Sequence, residues 1–202
     1  MTLDSFRPLA DRLMQPLVSG ATRIGLTPDG VSVLALIAAG GAAISFWAAG
    51  DQQLLYLAGA FLVFLNGVFD LLDGALAREQ NVTSPAGDLL DHVLDRYADI
   101  LISAGLAAGI SEYALGFLAV TGVLMTSYLG TQAEAVGLDR VYGGLLGRAD
   151  RLALVGFVAV VATFSNATVY GLDSIGWLLV VFALIGHLTA IQRFYYAMRD
   201  LS

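Results

Sequence analysis

The stretch from Phe69 to Arg96 reads FDLLDGALAREQNVTSPAGDLLDHVLDR and places five aspartates in a chain that is otherwise strongly apolar. On a helix, residues three or four positions apart share one face. Asp70 and Asp73 therefore form one pair, and Asp91 and Asp95 form another. Because only a short link separates the pairs, their two helices can run antiparallel with the acidic ends adjacent. The stretch predicts a helical hairpin in which four carboxylates converge.

The composition around this hairpin is that of a membrane protein. The chain has 202 residues, of which 57% are hydrophobic and 13% are charged, and its mean hydropathy is +0.76. Soluble domains carry roughly 25% charged residues. The chain has no Cys, which excludes disulfides and thiolate metal sites. A soluble helical bundle is disfavoured because so apolar a chain leaves too little polar surface to cover a core.

Six apolar segments approach the ~20 residues that a helix needs to cross a bilayer. They are rich in Leu, Ala and Gly rather than alternating, so they predict helices and not barrel strands. The fold class is therefore all-α integral membrane, with six transmembrane helices in one domain, residues 1–202. Residues 1–24 form a juxtamembrane segment and residues 25–202 the bundle. The segments are Val31–Ala49, Leu54–Leu72, Leu89–Ile110, Leu115–Leu129, Leu152–Phe164, which is short unless it extends to Tyr170, and Ile175–Tyr195.

The first twenty residues lack the continuous apolar core of a signal peptide. Their apolar residues recur at a spacing of three to four, which predicts an amphipathic helix along the membrane surface. Pro8 and Pro16 are expected to break that helix. The recurring residues are Leu3, Phe6, Ala10, Leu13, Met14 and Leu17.

The distribution of arginine predicts the orientation. All ten cationic residues are Arg, and the net charge is −7. With six spans and a cytoplasmic amino terminus, every arginine falls at or near the cytoplasmic side, as the positive-inside rule requires. Both termini and the aspartates are then cytoplasmic, in a multi-pass protein of the cell membrane. The arginines are Arg7, Arg12, Arg23, Arg78, Arg96, Arg140, Arg148, Arg151, Arg193 and Arg199.

Four converging carboxylates indicate a metal site, because like charges so close together cannot all stay ionised without a counter-charge. All-oxygen ligation suits Mg²⁺ or Mn²⁺, and two ions ~3.5–4 Å apart are typical of phosphoryl chemistry. Gly74 and Gly87 leave room for a ligand. Arg78 can grip a diphosphate. Asp99 is ~12 Å deeper along its helix than Asp91, so a buried hydrogen bond is expected for it instead.

The pattern Asp70-x2-Asp73-Gly74-x2-Ala77-Arg78-x8-Gly87-x3-Asp91-x3-Asp95 resembles the signature of the CDP-alcohol phosphatidyltransferases. These enzymes displace CMP from a CDP-linked lipid with an alcohol. The resemblance implies that Asp70 and Asp91 bridge two Mg²⁺ ions, that Asp73 and Asp95 complete one site each, and that Asp95 is also the catalytic base. It further implies a homodimer, and contacts to the CDP-lipid from Gly74, Arg78, Ser84 and Gly87.

Four further stretches resemble the phosphatidylinositol-phosphate and archaetidylinositol-phosphate synthase branch: GLTPDG, AEAVG, GRADR and IQRF. The first stretch also reads as a capped helix start, with Thr27 as N-cap and Pro28 following it. The resemblance implies that the CDP moiety contacts Thr27, Pro28, Asp29 and Gly30, and that the phosphate of the acceptor contacts Arg148, Arg151 and Arg193.

The acceptor stays open between two phosphorylated alcohols. Three arginines suit a phosphorylated acceptor, and inositol phosphate is narrowly favoured. The branch nevertheless carries basic residues where this chain has Gly130 and Gln132, which keeps glycerol phosphate as the alternative. The lipid can be diacylglycerol or archaeol. An intramembrane prenyltransferase and a transporter are more distant alternatives, since a transporter would place its ionisable residues near the bilayer midplane. No feature indicates nucleic-acid binding.

Overall fold

The computed structural model describes residues 7–138 and 146–202, with side chains from residue 13 onward. This part of the chain forms seven helices and no strand, which confirms the all-α prediction. The helices are α1 (Arg7–Arg23), α2 (Pro28–Ala48), α3 (Leu55–Glu79), α4 (Pro85–Gly109), α5 (Tyr113–Ala135), α6 (Arg148–Phe164) and α7 (Ser174–Leu201).

Four of these helices, α2, α3, α5 and α7, are long and apolar enough to cross a membrane. α4 carries the second aspartate pair, and α6 has only 17 residues because it ends at Phe164 and does not extend to Tyr170. The count of six spans therefore stays a prediction. α3 and α4 both continue past their apolar segments, so that each acidic pair lies inside a helix, two to three turns from the hairpin link.

Helix α1 is unbroken through Pro16, so the expected break there is wrong. A proline inside a helix removes one backbone hydrogen bond. Packing compensates for that loss, because Val18 and Ala21 of α1 are buried against Leu72 and Leu76 of α3. α1 therefore lies along the end of α3 that carries the aspartates. Its placement on a membrane surface stays a prediction, and residues 1–6 lie outside the described chain.

The connections between helices gather at two ends of the bundle. Before α3, Gln53 donates through Nε2 to the carbonyl of Ala162 at 2.6 Å and to Oδ1 of Asn166 at 2.7 Å. At the opposite end of α3, Gln80 donates to the carbonyl of Leu26 at 3.0 Å. The α2–α3 and α6–α7 connections thus share one end, and the α1–α2 and α3–α4 connections share the other, where the acidic hairpin turns.

The helices cross at very short distances. A Cβ added to Gly186 of α7 would lie 2.6 Å from the carbonyl carbon of Gly122 on α5, so only glycine permits this crossing. Small residues of this kind let membrane helices pack closely. The outer surface exposes large apolar side chains, as expected of helices that face lipid. They include Ile44, Trp47, Phe61, Phe64, Phe117 and Phe157.

Candidate active site

Three of the four predicted metal ligands lie together. Carboxylate oxygens of Asp70 on α3 and of Asp91 and Asp95 on α4 lie within 4.8 Å of one another. Each side chain is partly buried, so the cluster is accessible but not fully solvated. The antiparallel hairpin produces this convergence: the i, i+4 spacing stacks Asp91 over Asp95, and the short link brings Asp70 opposite them.

The fourth acid, Asp73, lies beside that cluster but outside it. It lines the same pocket as Asp91 and Asp95, yet it is buried, and Ser32 of α2 donates to its Oδ2 at 2.7 Å. A hydroxyl donor of this kind fixes the carboxylate toward α2. The structure thus brings Asp70, Asp91 and Asp95 together. Asp73 lines the same pocket but is hydrogen-bonded to α2.

A guanidinium occupies the space between the two acidic helices. Nη1 of Arg148, at the start of α6, lies 2.5 Å from Oδ1 of Asp70, and its Nη2 lies 2.7 Å from Oδ1 of Asp95. Asn66 on α3 accepts from the same Nη2 at 3.5 Å. The sequence reading assigned Arg148 to the acceptor phosphate. In the structure it is the counter-charge of two proposed metal ligands.

Next to the cluster, acidic and basic side chains alternate in a series of ion pairs. Arg96 of α4 lies between two carboxylates, with Nη2 at 3.5 Å from Asp95 and at 3.7 Å from Asp99. Asp99 in turn accepts from Nη2 of Arg151 on α6 at 2.9 Å. Asp99 and Arg151 are both buried. The buried hydrogen bond expected for Asp99 is therefore present. It links a second predicted acceptor arginine to α4.

Arg151 also borders a second pocket, between α5 and α7. Its lining includes Thr126 and Thr189. The third predicted acceptor arginine, Arg193 of α7, donates through Nη1 to the carbonyl of Thr126 at 2.6 Å. Arg151 thus lines the same pocket as Thr126, to which Arg193 is hydrogen-bonded, whereas Arg148 lies with the acids. Arg140 and its neighbours, residues 139–145, lie outside the described residues.

The predicted CDP-contacting residues lie at two helix starts that face each other. Thr27 caps α2 by accepting from the amide of Gly30 at 3.2 Å, and Ser84 caps α4 by accepting from the amide of Gly87 at 3.1 Å. A Cβ added to Gly87 would lie 3.7 Å from Oδ1 of Asp29, so the two starts are neighbours. Helix N-termini favour anions such as phosphates.

The remaining predicted CDP contacts flank these starts. Pro28 is the first residue of α2, directly after the cap at Thr27. Gly74 leaves open space, because a Cβ added there would meet only the guanidinium of Arg78, at 3.6 Å. Arg78 itself is exposed at the end of α3. These positions lie at the hairpin end of the bundle.

The donor set of the cluster suits a hard divalent cation. Three carboxylates from two rigid helices supply oxygen ligands without sulfur or imidazole, which is the ligand set that Mg²⁺ and Mn²⁺ prefer. Ligands carried by helices also keep their relative positions better than ligands carried by a loop.

Sequence reasoning missed Asn66, Ser32 and Arg96. Asn66 is fully buried, accepts from Arg148 and donates to the carbonyl of Ala35 at 2.8 Å. Arg96 also donates to the hydroxyl of Ser127 on α5. A polar residue inside an apolar span is a functional signal in its own right. Asn66, one turn before Asp70, carried that signal in the sequence.

Comparison with known proteins decides the family. The family model described as CDP-alcohol phosphatidyltransferase matches residues 25–191, which include the whole acidic hairpin and its arginine partners. The chain belongs to the CDP-alcohol phosphatidyltransferase family. It is therefore an enzyme of phospholipid synthesis, and its apolar helices are those of a multi-pass membrane protein.

Two curated relatives are similar to this phosphatidyltransferase over most of its length. Archaetidylinositol phosphate synthase of Methanothermobacter thermautotrophicus is 31% identical over 206 residues, which cover 98% of this chain and 95% of that protein. Phosphatidylinositol phosphate synthase of Mycobacterium tuberculosis is 34% identical over 190 residues, which cover 90% of this chain and 84% of that protein.

Solved structures of the Mycobacterium tuberculosis synthase share the fold of this phosphatidyltransferase. The structure with CDP-DAG bound gives a TM-score of 0.78 at 30% identity and covers 92% of this chain and 94% of that one. The structure in complex with manganese and citrate gives a TM-score of 0.77 at 29% identity and covers 91% and 88%.

Proposed function

We propose that this protein transfers a phosphatidyl or archaetidyl group from a CDP-linked lipid to inositol phosphate and releases CMP. The observation that carries the proposal is the convergence of Asp70, Asp91 and Asp95 beside arginines that suit a phosphorylated acceptor. Relatives named as archaetidylinositol phosphate and phosphatidylinositol phosphate synthases support this acceptor. The relative solved with CDP-DAG bound supports the lipid donor.

The metal is proposed to be Mg²⁺, with Mn²⁺ as a substitute, bound as two ions. The relative solved with manganese supports a divalent cation in this fold. Asp70, Asp73, Asp91 and Asp95 would hold the ions. When bound, the ions would neutralise the diphosphate and stabilise the leaving CMP.

The chain's own residues are proposed to orient both substrates. Thr27 and Ser84, with the glycines and Asp29 at the two helix starts, would hold the cytidine diphosphate, and Arg78 would grip its phosphates. Arg148, Arg151 and Arg193 would hold the acceptor phosphate through charge-assisted hydrogen bonds. The positions of the arginines support the acceptor assignment: Arg148 lines the pocket of the acidic cluster, Arg151 lines the pocket that contains Thr126, and Arg193 donates to the carbonyl of Thr126.

Asp95 is proposed to be the general base. The acceptor hydroxyl would give its proton to the Asp95 carboxylate as its oxygen forms a bond to the lipid-linked phosphorus. The bond from that phosphorus to the CMP oxygen breaks in the same displacement, and CMP keeps the electron pair. Atoms and charge balance as CDP-lipid plus alcohol giving phospholipid, CMP and a proton.

The topology is proposed to be six spans formed by α2–α7 in one domain, with α1 on the membrane surface. The hairpin end of the bundle, with both termini, would face the cytoplasm. This arrangement supports the chemistry, because the lipid half of the donor stays in the bilayer while the nucleotide reaches water. Homodimer formation is carried over from the family resemblance.

Glycerol phosphate is the second candidate acceptor. One observation favours it: the chain has buried Gly130 and exposed Gln132 on α5 at positions where the inositol-phosphate branch carries basic residues.

An acceptor panel tests the proposal. Purified protein in liposomes with CDP-diacylglycerol or CDP-archaeol is offered inositol phosphate, glycerol phosphate, serine or free inositol, with Mg²⁺, Mn²⁺ or EDTA. We expect metal-dependent CMP release with inositol phosphate as the most efficient acceptor. Efficient use of serine or free inositol would refute the phosphate-binding role of the arginines, and CMP release in EDTA would refute the metal site.

A further inference from the structure

Asp99 has no role in the proposed reaction, yet it is among the most constrained charges in the protein. It lies one helical turn beyond Asp95 on α4, which is ~6 Å along the axis. Its side chain is buried, with 6% of its surface exposed. One oxygen, Oδ2, accepts from Nη2 of Arg151 at 2.9 Å, and Nη2 of Arg96 lies 3.7 Å from the same oxygen.

Arg151, the hydrogen-bond partner of Asp99, lines a pocket. Arg151 belongs to the first turn of α6 and lines the pocket around Thr126, near which the guanidinium of Arg193 is also anchored. A guanidinium has five donors on a long, flexible stem, so one anchored edge leaves the other donors available in a fixed direction. Asp99 provides that anchored edge.

Arg148, the other arginine in the first turn of α6, has different partners. Arg148 pairs with Asp70 and Asp95, which are themselves proposed metal ligands. Asp99 is not part of the metal cluster, so its hydrogen bond with Arg151 uses no oxygen of the proposed metal ligands. Asp99 can therefore keep Arg151 in place throughout the reaction.

We propose that Asp99 is a positioning residue for the acceptor: its carboxylate holds the Arg151 guanidinium at the Thr126 pocket, where Arg151 binds the acceptor phosphate. This inference rests on the proposed function, because it requires a phosphorylated acceptor. Asp99 acts through Arg151 and touches neither the metal nor the reacting phosphorus. Its removal is thus expected to affect acceptor binding and to spare donor binding and metal binding.

The test compares Asp99→Asn, Arg151→Gln and the double variant in liposomes with saturating Mg²⁺. Both single variants should raise the acceptor KM about tenfold or more, since one charge-assisted hydrogen bond is lost or misdirected. The KM for the CDP-lipid, kcat, and Mn²⁺ affinity should change less than about twofold. The double variant should be no worse than Arg151→Gln alone, because both changes remove the same interaction.

Two further variants keep the test decisive. Asp99→Glu retains the charge and so protects folding, but its carboxylate is displaced by one methylene; we expect a several-fold higher acceptor KM with unchanged kcat. Asp51→Asn, at an exposed position in the α2–α3 connection, is the matched control and should behave as wild type.

The outcomes separate this inference from the proposed function. If the wild type uses inositol phosphate but Asp99→Asn and Asp99→Glu keep its acceptor KM, the positioning role is refuted while the function stands. If these variants lose kcat or Mn²⁺ affinity instead, Asp99 supports the metal cluster and the inference is also refuted. If the wild type turns over only unphosphorylated alcohols, the proposed function fails first and the inference with it.

Discussion

Removing the Arg148 guanidinium should tighten divalent-metal binding and weaken acceptor binding at the same time. The side chain is paired with Asp70 at 2.5 Å and with Asp95 at 2.7 Å, and it is only 14% exposed. A cation that takes the Oδ1 atoms of those two carboxylates as ligands must displace the guanidinium from them. Arg148 is therefore a competitor of the metal as well as the proposed ligand of the acceptor phosphate.

The magnitude follows from the two ion pairs. A hydrogen bond to a charged group contributes ~1.5–3 kcal/mol, and ~1.4 kcal/mol corresponds to a factor of ten in affinity. If breaking only one such bond opposes the metal, Arg148→Gln should bind Mn²⁺ about tenfold more tightly than wild type. Without metal, the same variant leaves Asp70 without the Arg148 counter-charge and leaves Asp95 with only its longer ion pair to Arg96, at 3.5 Å. Its thermal stability in EDTA should fall, because an uncompensated, partly buried charge is destabilising.

The assay is Mn²⁺ titration followed by the electron paramagnetic resonance signal of the free ion, combined with thermal unfolding in detergent. Mn²⁺ at 100 times its Kd adds ~2.7 kcal/mol to the folded state, so the ion should restore most of the stability lost in Arg148→Gln. Arg199→Gln is the control, because Arg199 is exposed and paired with Asp200 at the end of α7. Equal Mn²⁺ affinity and equal metal-free stability in Arg148→Gln and wild type would refute the competition.

Three further predictions concern the reaction itself. Asp91→Asn should lower turnover ~100-fold or more at saturating Mg²⁺ while the protein stays folded, and Asp99→Asn should lower kcat far less; comparable turnover in wild type and Asp91→Asn would contradict the metal assignment. Kinetics should be sequential, because Asp95 is placed as a base and not as a phosphate acceptor; a stoichiometric burst of CMP without acceptor, with lipid phosphate bound to the protein, would overturn this. Arg193→Ala should raise the acceptor KM ~10-fold but not the CDP-lipid KM, with Arg199→Ala as the unaffected control; equal acceptor KM values in the two variants would remove Arg193 from the acceptor site.

The sequence by itself determined the helical class and the main features of the acidic hairpin. Helical periodicity depends only on residues three or four positions apart, and hydropathy depends only on local composition. The spacing of Asp91 and Asp95 and the short link before α4 were therefore sufficient to predict that they would meet Asp70. The same local rules predicted the cap at Thr27, which the structure confirms.

Local rules failed where packing outweighs them. Pro16 was expected to end α1, but burial of Val18 and Ala21 against α3 keeps the helix continuous. The six-span count stays a prediction, since four of the described helices are long and apolar enough to cross a membrane. A local signal describes what a segment favours alone, and tertiary contacts add a free energy that the segment does not contain.

Only the tertiary structure decided how the charges are paired. Asp73 is held by Ser32, which is 41 residues away in the chain; Arg148 lies between Asp70 and Asp95; and Arg151 is paired with Asp99, 52 residues away. Charge pairing depends on distances of a few ångströms between helices whose relative rotation and depth are set by the whole bundle. The spacing of residues along one helix specifies the face on which a charge lies, but its partner is specified by the helix packed against that face.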